Sequence, residues 1–133
     1  MINFQAESTI SGDDFEDKVL VDLNEFGYKD IKQHVIIPEV GVEADFAFVH
    51  HGRQVYVEAK GGYKGKGKRP GAKRTDNVKK AIANAALVKS YYPDVKYVIY
   101  FSDLPVYGKS SYKMLKAAIR AGFVDQIIYL IVL

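Results

Sequence analysis

Glu43-Ala44-Asp45-Phe46-Ala47-Phe48-Val49, then His50-His51-Gly52-Arg53, then Gln54-Val55-Tyr56-Val57-Glu58-Ala59-Lys60: the reading of this stretch decides the fold. Two strand-length runs rich in β-branched and aromatic side chains flank a short polar break containing glycine, the pattern of a β-hairpin. If the turn is symmetric about His51-Gly52, Asp45 stands opposite Glu58 and Glu43 opposite Lys60. Cross-strand partners hold their Cβ atoms about 4.5–5.5 Å apart, and like charges directly opposite are destabilising. Something must therefore compensate the Asp45/Glu58 repulsion. Strand alternation puts Tyr56, Glu58 and Lys60 on one face and Val55, Val57 and Ala59 on the other, so Lys60 shares a face with Glu58.

A carboxylate pair beside a lysine in half-buried strands suits a hard divalent cation. Magnesium prefers a few carboxylates, retained waters and phosphate oxygens to an all-protein cage. The chemistry such a site favours is phosphodiester hydrolysis: the cation eases deprotonation of water and neutralises charge on the phosphorane, while the ammonium positions or activates the water. In this reading Asp45 and Glu58 are ligands, Lys60 handles the nucleophile, and the carbonyl of Ala59, lying between the two side chains, is a further ligand.

Upstream, Ser11-Gly12-Asp13-Asp14 leads into Phe15, Val19, Leu23 and Phe26 at helical spacing, ending at Gly27. Val35-Ile36-Ile37 reads as a short strand that Pro38 confines to an edge, a bulge or an end. Downstream, Thr75 is expected to cap a helix with Val78, Ile82, Ala85 and Ala86 on one face, stopped at Tyr92-Pro93-Asp94. Tyr97 to Phe101 has strand composition. A helix from about Ser110 or Ser111 carries Leu115, Ala118 and Ile119 and ends at Gly122. Ile127 to Leu133 is continuously apolar and is expected to be a strand covered on both faces. The order helix, strand, hairpin, helix, strand, helix, strand predicts a mixed central β-sheet flanked by helices, of the α/β or α+β class. Residues 1–133 are the length of a single domain.

Glu43-Ala44-Asp45 followed by Glu58-Ala59-Lys60 resembles the PD-(D/E)xK nuclease superfamily, which includes restriction endonucleases, archaeal Holliday junction resolvases and some homing and repair nucleases. The resemblance runs from about Gly12 to Ser102. It implies a restriction-endonuclease-like αβββαβ core, to which this chain adds a C-terminal helix and strand. It also implies that an acidic residue on the first helix, Glu16 here, helps hold the metal. Ala44 replaces the proline that often precedes the aspartate, and no Gln-x-x-x-Tyr follows on the later helix, so the RecB-type exonuclease branch is not supported. The arginine that the resolvases tend to carry before the aspartate is absent.

Charge is unevenly distributed. Residues 1–60 carry 5 basic and 12 acidic side chains, whereas residues 61–80 carry 8 and 1. Gly61 to Arg74 is too glycine-rich for regular structure and is expected to be a mobile loop. Its Lys64, Lys66, Lys68, Arg69, Lys73 and Arg74, with Lys79 and Lys80 beyond, form an electrostatic footprint for a polyanion. Asn77, Lys80 and Asn84 make a polar stripe on the following helix that could touch backbone or bases. Gly62 to Lys68 imitates the start of a P-loop, but Arg69 replaces the hydroxyl residue and Pro70-Gly71 prevents an immediate helix.

The chain has no cysteine, which excludes disulfides, thiolate zinc sites and cysteine nucleophiles. No apolar run approaches the ~20 residues of a membrane span, and no targeting signal is evident, so a soluble, cytoplasmic protein is expected. The expected activity is that of a Mg2+-dependent endodeoxyribonuclease, with Mn2+ able to substitute, of restriction or homing type. The alternatives are a Holliday junction resolvase of the same fold and a non-catalytic nucleic-acid-binding module. One small domain offers one site, so cutting both strands predicts a homodimer or larger assembly on DNA.

Overall fold

The computed structural model describes residues 12–61, 72 and 74–131. Among them the elements run α1 (Gly12–Glu25), β1 (Lys32–Ile37), β2 (Val42–His50), β3 (Arg53–Lys60), α2 (Thr75–Tyr91), β4 (Lys96–Phe101), α3 (Ser110–Ala121) and β5 (Gln126–Tyr129). This is the element order expected from the sequence, and the five strands form one mixed sheet in chain order, β1-β2-β3-β4-β5. β1, β2 and β3 are antiparallel, whereas β4 joins β3, and β5 joins β4, in parallel. The expected mixed α/β class, with helices flanking a central sheet, is therefore observed.

The hairpin closes on two residues of positive φ, His51 at 50° and Gly52 at 75°. That is the signature of a type I′ turn, whose twist matches that of the strands it joins. The turn sets the register, with Phe46 opposite Val57, Phe48 opposite Val55 and His50 opposite Arg53. The ladder between β2 and β3 runs to Phe46 and Val57, one step short of the expected Asp45/Glu58 pair, and beyond it the Ala59 amide is taken by the Asp45 side chain. Between β1 and β2 the reversal is made by Pro38 to Gly41, with Gly41 at φ 66° and its amide donating to the Ile37 carbonyl at 3.0 Å. β1 ends immediately before Pro38, at the edge of the sheet, where a missing amide costs no ladder bond.

Two apolar layers cover the sheet. On one side α1 buries Phe15, Val19 and Leu23 against Phe46, Phe48, Val55, Val57, Val98 and Tyr100. On the other, α2 and α3 bury Val78, Ala81, Ala85, Val88, Leu115 and Ala118 against Val42, Ala44, Tyr97, Ile99 and Phe101. β4 alternates strictly between the two layers, so all its residues from Tyr97 to Phe101 are buried. β2 does not alternate in this way: Val42 and Ala44 serve the α2/α3 layer, whereas Phe46 and Phe48 serve the α1 layer. The change of side falls at Asp45. α1 is also fastened by a polar bond, the Tyr100 hydroxyl donating to Asp22 Oδ2 at 2.6 Å. Burial pushes the Tyr100 hydroxyl pKa well above its ordinary value, and the Asp22 carboxylate adds to the rise.

Three expectations need correction. Thr75 is the first helical residue rather than the cap. Arg74 holds the N-cap position with extended backbone and no capping side-chain bond. The last strand is short, Gln126–Tyr129; Ile127 and Tyr129 pack on one layer and Ile128 on the other, as expected of a strand covered on both faces, half-buried at the sheet edge, and residues 132–133 lie outside the described residues. Asn84 faces the sheet instead of joining an outer polar stripe, for the reason given below. No helix among the described residues is long and apolar enough to cross a membrane.

Candidate functional site

Three elements converge where β2 changes sides. α1 brings Glu16, β2 brings Asp45, and β1 brings His34, and one donor atom from each lies within 4.8 Å of the others. Glu16 follows Phe15 on the helix, and the burial of Phe15 against the sheet sets where its neighbour arrives. Asp45 is held from across the hairpin, its Oδ2 accepting the Ala59 amide at 2.7 Å. That bond explains how the carboxylate tolerates its place beside Glu58: a charged acceptor on a backbone amide is a strong hydrogen bond. The Ala59 backbone thus positions Asp45 through its amide.

His34 is the participant that the sequence reading missed. Its backbone has φ 52° in the middle of β1, a left-handed conformation that costs a non-glycine residue on the order of 1 kcal/mol. The β1/β2 register places it between the pairs Gln33/Phe46 and Val35/Ala44, level with Asp45. Its Nε2 lies 3.8 Å from Glu16 Oε1 and its Nδ1 3.7 Å from Glu43 Oε2. Glu43, which the symmetric turn sets opposite Lys60, stands beside His34 with a half-exposed side chain. The Pro38 to Gly41 reversal carried the signal, since reading it as a second hairpin gives the His34/Asp45 level directly.

Glu58 and Lys60 form an adjoining, drier part of the site. Glu58 is 2% exposed, yet its carboxylate is surrounded by polar partners. The Tyr97 hydroxyl donates to Oε1 at 2.6 Å, the Asn84 amide donates to Oε1 at 3.3 Å and Oε2 at 3.2 Å, and Lys60 Nζ stands 3.3 Å from Oε2. Asn84 is therefore engaged with the carboxylate, which is why it does not continue the outer stripe. Burial raises the Glu58 pKa above its ordinary value, and the Asp45 charge adds to the rise. The Tyr97 bond, the Lys60 charge and the Asn84 bond oppose it without cancelling it. Tyr97 itself is pushed far above the ordinary tyrosine pKa, chiefly by burial and then by the Glu58 charge, so it stays a hydrogen-bond donor at any physiological pH.

Among the residues expected to form the site, Glu16 and Asp45 are gathered into one cluster, and Glu58 and Lys60 into an ion pair beside it. The cluster offers two carboxylate oxygens and an imidazole to a single point, a donor set that fits a divalent cation. Four carboxylates, Glu16, Glu43, Asp45 and Glu58, gather in this region with Lys60 as the cation paired within it. A cation among these carboxylates would add to the compensation that His34, the Ala59 amide and Lys60 already supply.

The basic segment is tied at both ends near this site. It leaves the sheet at Gly61, after Lys60, and rejoins the described structure at Ala72, whose amide donates to Asp103 Oδ1 at 2.8 Å beyond the end of β4. Lys64, Lys66, Lys68, Arg69 and Lys73 lie outside the described residues. Arg74 and Asn77 are half-buried at the start of α2, and Lys79 and Lys80 are exposed. α3 adds a basic face that the sequence reading did not single out. Lys109, Lys113, Lys116 and Arg120 recur at helical spacing and are exposed, and the helix contains no acidic residue. Lys113, Lys116 and Arg120 line an open groove with Ala117 and Ala121.

No protein-family model, curated protein or solved structure matches this chain.

Proposed function

We propose that this protein is a divalent-metal-dependent endonuclease of the PD-(D/E)xK type, hydrolysing DNA phosphodiester bonds. The observation that carries the reading is the convergence of Glu16 from α1 with Asp45 from β2, next to a buried Glu58 paired with Lys60. A structural ion pair alone accounts for Glu58 and Lys60, whereas a bound cation accounts for these two and for the approach of Glu16 to Asp45 together. A bound Mg2+ or Mn2+ supplies Lewis acidity and makes a water easier to deprotonate.

The chain's own groups do the rest. Glu16 and Asp45 hold the cation. Glu58, fixed by Tyr97 and Asn84, holds the Lys60 ammonium next to the cluster. From there Lys60 orients the attacking water and stabilises negative charge developing on the phosphoryl oxygens. DNA is held by the basic segment between Gly61 and Ala72, together with Lys79, Lys80 and the α3 face. Each domain carries one such site, so cleavage of both strands uses two copies.

The test is a panel of linear duplex, four-way junction, flap and single-stranded DNA incubated with Mg2+ or Mn2+. Cleavage of at least one form by the wild type is expected. Lys60→Ala should abolish it while leaving DNA binding largely intact, with the variant's folding checked by its unfolding transition because Glu58 loses a partner. A folded, metal-loaded wild type that cuts none of the four forms would overturn the proposal, and the binding-module reading would then replace it. The product map separates a sequence reader from a junction resolvase.

A further inference from the structure

We propose that His34 is a nitrogen ligand of the same cation and that it makes the site prefer Mn2+ to Mg2+. The inference rests on the metal site of the proposed function but not on cleavage. Glu16, Asp45 and His34 are the described residues whose donors gather within 4.8 Å, and the third of them is an imidazole. The donors of an octahedral ion with bonds of about 2.1 Å stand roughly 3 Å apart when adjacent and about 4.2 Å apart when opposite. The 3.8 Å from His34 Nε2 to Glu16 Oε1 lies between these values, a separation at which the two can share one ion. The other ring nitrogen faces Glu43 Oε2 at 3.7 Å. A metal-ligating imidazole characteristically turns its second nitrogen toward a carboxylate, which fixes the tautomer and strengthens the donor. Lys60 Nζ is paired with Glu58.

Selectivity follows from the chemistry of the donor. Mg2+ is a hard ion that favours oxygen and dehydrates reluctantly, whereas imidazole suits first-row transition ions. Mn2+ accepts both kinds of donor, so two carboxylates with one imidazole shift the balance toward it. The side chain of His34 is 54% exposed, so an ion can reach it from solvent without opening the core.

The experiment uses the wild-type chain and Mn2+ as probe. Mn2+ binding is followed by electron paramagnetic resonance, and the coordinated nitrogen by electron spin echo modulation in protein labelled with 15N-histidine. Competition with Mg2+ gives the selectivity. A nitrogen coupling is expected, together with an affinity for Mn2+ at least ~10-fold above that for Mg2+. His34→Gly keeps the positive φ without strain and removes the ring. It should erase the coupling and lower Mn2+ affinity by about 10-fold or more while changing Mg2+ affinity little. Bound Mn2+ without a nitrogen coupling in the wild type overturns the inference, as does a His34→Gly variant with unchanged Mn2+/Mg2+ selectivity. The wild-type spectrum decides the matter even if the variant folds poorly. Failure to bind Mn2+ at all defeats this inference and the metal-dependent reading together. Mn2+ bound through nitrogen with no DNA cleavage defeats only the nuclease reading.

Discussion

The Tyr97 hydroxyl donates to Glu58 Oε1 at 2.6 Å on the buried side of the sheet. The two residues belong to parallel strands, and the bond is the shortest of those that hold the carboxylate. Replacing Tyr97 by Phe removes the donor without changing the packing volume much. The variant should lose about 1–3 kcal/mol at neutral pH, the cost of leaving a buried charged acceptor short of a partner. Urea unfolding of wild type and variant measures this, and an unchanged midpoint would show that Lys60 and Asn84 suffice.

Glu58 also sets a pH dependence. Its pKa is raised in the folded protein above the ordinary 4.5, so folded protein binds a proton that the unfolded chain releases. Stability associated with this group is therefore complete below about pH 4.5 and falls as pH rises toward the raised value, by about 1.4 kcal/mol for each pH unit that separates the folded and unfolded pKa. Glu58→Gln cannot titrate. In chelator, its stability relative to wild type should increase between acid and neutral pH. Parallel stability–pH curves for the two proteins would contradict the raised pKa.

Gly61 lies at the exit of β3, where a Cβ atom would fall within the Phe15 ring. Phe15 is fully buried and precedes Glu16, so the collision is passed to the helix that carries the candidate ligand. Gly61→Ala should destabilise by about 1–3 kcal/mol, as overpacking does in a filled core, and should weaken metal binding more than Gly52→Ala. Thermal denaturation and Mn2+ titration of both variants check this, with equal metal affinity as the unfavourable result.

Changing Lys113, Lys116 and Arg120 together to Gln tests the α3 face. Each phosphate that the helix no longer neutralises should reduce the slope of log affinity against log salt by about 0.9, giving a maximum change near ~2.7 for three phosphates of duplex DNA. Fluorescence anisotropy at several salt concentrations gives the slope. If it is unchanged, α3 does not touch DNA.

Much of this was legible in sequence, for a local reason. A two-residue hairpin loop leaves one register, so the pairing of Phe46 with Val57 follows from His51-Gly52 alone and brings Asp45 and Glu58 to neighbouring places. The amphipathic spacing of Phe15, Val19 and Leu23 likewise fixes which side of α1 is buried, and hence where Glu16 arrives. Long-range pairings are not written locally. The Tyr97 to Glu58 bond depends on a parallel register across α2, and Asn84 meets Glu58 only because α2 crosses β3. The length of β5 was overestimated because an apolar run does not say how many neighbours a strand has. His34 was missed because its place beside Asp45 depends on the Pro38 to Gly41 reversal acting as a second hairpin turn, not on any periodicity within β1.

The handover in β2 has one more consequence. Ala44 belongs to one apolar layer and Phe46 to the other, while Asp45, between them, belongs to neither. The candidate metal cluster therefore occupies a seam, and substitutions there touch neither apolar wall. Loss of Asp45 would leave the Ala59 amide without its acceptor but would remove no apolar contact from either wall.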